Sequence, residues 1–147
     1  HLLVQCVHYL RGSLLAGVVA VAPRRQTRLD TFFLGAAMAI HHASSGELIE
    51  IRPLKDKLKT AATKTLFKSN HLEVSRTVLL AGKDVPPHQV AGEMTVQCLE
   101  GSVELAVAGS AQLMRVGDLI CLTGGATHAL KAIEDSSVLI TMLLHGA

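Results

Sequence analysis

Two short spacings hold the side chains best suited to chemistry. In the first, Gly82 is followed by five residues and then His88, with Gly101 closing the stretch. In the second, Gly117 is followed by five residues, then Thr123-Gly124-Gly125, two more residues and His128. An imidazole titrates near neutral pH, so a histidine suits metal ligation, general-base work or the anchoring of a ligand. Pro86 and Pro87 stiffen the approach to His88 and lower the entropy lost in holding it. Cys6, Cys98 and Cys121 are odd in number, far apart and without a CxxC, so they read as reduced thiols of a cytoplasmic protein. His41, His42, His71 and His145 stand outside both spacings and read as solvated.

Such residues need a scaffold, and from Thr65 onward the sequence supplies strands. Leu72 to Leu80 has a strand composition with Leu72, Val74, Arg76 and Val78 on one side, and a Gly-Lys-Asp-Val-Pro-Pro stretch then breaks it. Further strands are predicted at Met94 to Leu99, Val103 to Val107, Ala111 to Val116, Leu119 to Leu122, His128 to Ile133 and Val138 to Leu144. Seven short strands with Gly or Asp at the turns predict an all-β sandwich or barrel, and the lack of long intervening helices excludes a βαβ fold.

The chain is 147 residues long, 49% hydrophobic and 18% charged, which suits one domain with an aliphatic core. Its basic balance resides in Arg11, Arg24, Arg25 and Arg28, so the rest of the chain gives no electrostatic reason to expect nucleic acid. The apolar runs Ser13 to Ala22 and Phe32 to Ile40 fall short of the roughly 20 residues that span a bilayer, so no membrane segment is expected. Three segments result: a leader or extension over 1–37, poorly structured or partly helical; an arm with a short helix and strand over 38–70; and a barrel over 71–147. The leader reads as an upstream translation artefact before a natural start at Met38, as a signal-like segment, or as a structural extension.

Together the two spacings resemble the paired motifs of the cupin superfamily, and the likeness covers about half the chain. It implies a jelly-roll β-barrel with a central pocket. The family's first motif continues His-x-His and then Glu; here Val90 stands at the second His and Met94 at the Glu. In the second motif Thr123 replaces Pro and Ala132 replaces Asn. Of four usual metal ligands His88 and His128 remain, one short of the three that a catalytic Zn or Fe site normally takes from protein. Strand alternation places Met94, Val96 and Cys98 inward and Glu93 outward, with Cys98 lining the barrel floor or, as an alternative third ligand, reaching a metal from below. A bulge at Gly92 would reverse this and assemble His88, Glu93 and His128 as a two-His-one-carboxylate triad. Arg76 reads as a surface residue, with the holding of a carboxylate or phosphate as the family-based alternative.

Two functions follow. One is a small-molecule-binding barrel without a complete metal site, its pocket lined by His88, Val90, Met94, Val96, Cys98 and His128. The other is a metal-dependent enzyme of dioxygenase or isomerase type, with weakly bound Fe, Mn, Ni or Zn on His88, His128 and Glu93. A metal-free general-base role for either histidine lacks an obvious orienting carboxylate. Pairing through strand edges makes a homodimer the expected state.

Overall fold

The computed structural model describes residues 41–144, so the leader over 1–37 and His145 lie outside the described residues. A 3₁₀ helix, Lys55–Thr60, precedes nine strands: β1 Lys64–Lys68, β2 Leu72–Leu79, β3 Asp84–His88, β4 Met94–Glu100, β5 Ser102–Val107, β6 Ser110–Arg115, β7 Leu119–Leu122, β8 His128–Ala132 and β9 Ser136–Leu143. They form two antiparallel sheets, of order β1-β2-β9-β4-β7 and β3-β8-β5-β6. The all-β expectation holds. Among the described residues no helix is long and apolar enough to cross a membrane.

Between the sheets lies an aliphatic core in which Leu79, Val103, Leu105, Met114, Val138 and Met142 are almost wholly buried. Strands β4, up to its bulge, and β8 bury alternate residues, as a sheet with one face on a core must. On β2 the inward row is Glu73, Ser75, Thr77 and Leu79, so Leu72, Val74, Arg76 and Val78 face outward.

Two strands lie outside the seven predicted from Leu72 onward, and one of them, β1, falls in the arm where a short strand is expected. β1 adds an edge to the five-stranded sheet, with a register irregularity between Thr65 and Phe67. β3 occupies the stretch that the sequence reading treated as a break. Pro86 and Pro87 lack N–H groups, and β3 takes the place that tolerates this, the edge of the four-stranded sheet.

The arm before β1 is fastened to the outer face of the larger sheet. A bulge between Cys98 and Glu100 adds one residue to β4, which swings Glu100 out of the inward row. Its carboxylate then accepts the Leu54 and Lys55 N–H groups, at 2.9 and 2.7 Å. Arg76 is buried and its Nη2 donates to the carbonyl of Arg52 at 2.9 Å. This corrects both sequence readings of Arg76: the arm covers it, and a backbone carbonyl takes the place of a ligand anion.

Candidate functional site

β3 and β8 place His88 directly opposite His128 as a cross-strand pair. The ring centroids lie 4.3 Å apart with 56° between the planes. The same device orients both rings. His88 Nδ1 is 2.9 Å from the Pro86 carbonyl oxygen, and His128 Nδ1 is 2.9 Å from that of Ala126. A carbonyl only accepts, so Nδ1 carries the proton in each ring, and in the neutral imidazole Nε2 is left as an acceptor. The Nε2 of His88 is buried with no partner. Burial lowers the pKa of His128; the bond to Ala126 opposes this, and the charge of a protonated His88 adds to it. His128 is therefore held neutral at physiological pH.

Both rings border an internal cavity that Thr77, Met94, Val96 and aliphatic side chains of both sheets complete. It has about 10 Å³ of room for the centre of a water-sized sphere, the space of about one water molecule. The loops that follow His88 and precede His128 are tied to each other. Gln89 Nε2 donates to Thr127 Oγ1 at 2.7 Å, and the Gly125 N–H donates to the Val90 carbonyl at 2.7 Å. Gly124 lies so close to the Ala91 carbonyl that a Cβ there would collide with it. The glycines of the second spacing thus let two loops approach closely next to the histidines.

Of the sequence-derived pocket residues, His88, Met94, Val96 and His128 meet at this cavity. Val90 is buried in the core and its carbonyl ties the loops, but its side chain is not in the cavity wall. Cys98 is buried at the other end of β4, where its thiol lies 3.7 and 3.5 Å from the Glu100 and Gly101 carbonyls. Burial raises its pKa, the contact with Glu100 opposes that, and the charges of Asp118 and Glu134 add to it.

The Glu93 alternative does not survive. Met94 pairs with Met142 and Leu122 in regular register and is 4% exposed, whereas Glu93 is exposed and lines a depression of about 340 Å³ on the outer face. The bulge in β4 lies at its far end, beyond Cys98. Gly92 has another use, because a Cβ there would run into the Leu143 carbonyl where β9 ends. Among the described residues no three His, Cys, Asp or Glu side chains come together in a way that could hold a metal ion. Glu73, the inward carboxylate of β2, does not wall the cavity and is engaged by Lys68 Nζ at 2.7 Å and Thr65 Oγ1 at 3.3 Å. Two imidazoles and a thioether without a carboxylate do not fit the divalent-metal site that the family resemblance implies.

Thr77 was missed as a cavity residue. The signal was the polar alternation of Glu73, Ser75 and Thr77, which apolar counting along β2 passes over.

Two face-to-face antiparallel sheets in this arrangement match known structures. An RmlC-like cupin from Shewanella frigidimarina superimposes with a TM-score of 0.54 at 14% identity, over 56% of this chain and 75% of that one. A cupin superfamily protein from Desulfitobacterium hafniense gives 0.57 at 13% identity, over 67% of this chain and all of that one. This chain has the cupin fold. A conserved Streptococcus pyogenes protein of unknown function is similar over 76% of this chain and 99% of its own length, with a TM-score of 0.59 at 20% identity. No family model and no curated protein matches the sequence. The cupin barrel is thus established by its architecture, and its chemistry must be argued from its own side chains.

Proposed function

We propose that this cupin is a small-ligand-binding module whose working part is the His88–His128 pair. The observation that carries the proposal is the orientation of the rings. Both Nδ1 atoms point to backbone carbonyls, which leaves Nε2 as the acceptor of each of two rings that border an apolar cavity, and the buried Nε2 of His88 has no partner. An unsatisfied buried acceptor costs about 1–3 kcal/mol, and a ligand offering an O–H or N–H recovers that free energy. The favoured ligands are small alcohols, phenols or azoles, admitted when the loops carrying Gln89 and Thr127 part. Anions are disfavoured, because the two lone pairs repel them and burial opposes protonation of His128.

The test is a screen of small neutral donors against metal-free, chelator-treated protein, read by imidazole nitrogen shifts in NMR. Ligands of this class should move the Nε2 signals of both histidines and lose binding in His128→Phe. Hits that leave both rings unmoved, or that bind His128→Phe equally well, would refute the reading.

A further inference from the structure

We infer that the cavity is also a site for a soft monovalent metal ion, Cu(I), held by His88, His128 and Met94. The proposal uses the same imidazole pair as the ligand reading but not its organic ligand. The cross-strand geometry sets the rings 4.3 Å apart with both Nδ1 atoms anchored on backbone carbonyls. That anchoring is the posture of metal-bound histidines, whose second nitrogen is fixed by an outer hydrogen bond so that the first presents its lone pair. The third side chain is Met94, whose thioether stands where the resemblance places a carboxylate and which borders the same cavity.

Exchanging a carboxylate for a thioether changes which ion the site selects. Thioether sulfur is soft and favours Cu(I), whereas carboxylate and carbonyl oxygens favour the harder divalent ions. Charge points the same way. The rest of the wall is aliphatic apart from Thr77, and no carboxylate borders it to offset a double positive charge. The desolvation penalty rises steeply with ionic charge, so a monovalent ion is admitted where a divalent one is opposed. Room for about one water also suits an ion with its protein ligands better than a hydrated ion.

Anaerobic titration of the full chain with Cu(I), in competition with a chromophoric Cu(I) chelator, tests this in a Cys6→Ser, Cys121→Ser background that removes competing thiols. One Cu(I) per chain should bind at least 100-fold more tightly than Zn(II) measured in parallel. Met94→Leu conserves volume, so the fold is retained; it should weaken Cu(I) at least 10-fold and leave Zn(II) unchanged. X-ray absorption should show one Cu–S contact that disappears in Met94→Leu. Absence of stoichiometric Cu(I), Zn(II) bound as tightly as Cu(I), or a Cu(I) affinity indifferent to Met94→Leu would each overturn the inference. The donor screen on chelated protein stands apart: its failure together with tight Cu(I) binding rejects the organic-ligand reading alone.

Discussion

The two ends of the barrel both bury polar groups among aliphatic side chains, and they treat them in opposite ways. At the end where β4 meets β5, the buried polar side chains of Cys98, Ser102 and Ser136 all have partners. Ser136 Oγ lies 3.0 Å from the Ser102 carbonyl and 2.6 Å from that of Glu134, and Ser102 Oγ donates to the Glu134 carboxylate at 2.8 Å. Cys98 adds its contacts to the Glu100 and Gly101 carbonyls. At the other end the histidine pair satisfies its Nδ1 atoms and leaves the Nε2 of His88 open. Arg76 Nε and Ser137 Oγ are also buried without partners, but on strand positions that face outward. A closed network holds a barrel together, whereas an open acceptor at a cavity carries a free-energy cost that a ligand of the proposed class would recover.

The strongest way to break this comparison is at Gly101. Its φ is +75°, and a Cβ would collide with the Asp135 carbonyl and Ser136 Oγ. Gly101→Ala should destabilise the fold by about 3 kcal/mol or more, seen in thermal or urea unfolding. A loss under about 1 kcal/mol would show that this end is not tightly knit. Ser136→Ala comes next: the Ser102 carbonyl keeps the Ile133 and Glu134 N–H groups, but the Glu134 carbonyl loses the hydroxyl, which should cost about 1–3 kcal/mol without affecting ligand binding at the other end. His88→Leu should show the reverse pattern. Stability should stay within about 1 kcal/mol of the wild type, since the change removes the unpaired acceptor along with one hydrogen bond, while ligand binding is abolished. Equal stability losses in the serine and histidine variants would erase the distinction.

The smallest effect is in the pH profile, and it separates the ends by direction. Because burial lowers the folded pKa of His128, the unfolded chain takes up that proton first as pH falls. Its contribution is intact above the ordinary histidine range and is lost as pH falls through it. Cys98 has a raised pKa, so the unfolded chain releases that proton first, and stability is lost as pH rises through the ordinary thiol range. Urea unfolding from acid to alkaline pH should show both arms. His128→Gln should flatten the acid arm and Cys98→Ala the alkaline one; a variant that flattens the opposite arm would reject the assignment.

The sequence carried much of this because a strand repeats every second residue. Parity along β4 placed Met94, Val96 and Cys98 together and Glu93 opposite, and the register bears that out. Parity says nothing of depth along the barrel, which is why Cys98 shares a row with Met94 but not a cavity. It also fails at bulges, where Glu100 changes sides because one extra residue enters β4. β3 was illegible because proline argues against a strand unless the strand is known to be an edge, and edges are a property of the assembled sheet. The ring orientations were illegible for a similar reason. Carbonyls two residues upstream, Pro86 and Ala126, set them through local backbone shape, which residue types do not encode.

The two prolines that obscured β3 also give the smaller sheet a direction of growth. Outside β3 the chain offers no N–H at positions 86 and 87, so a foreign strand cannot complete a ladder there. β6, at the opposite edge, has no such guard, and five of its six residues are exposed. Any intermolecular strand added to this sheet would therefore join at β6 and leave the histidine-bearing edge accessible.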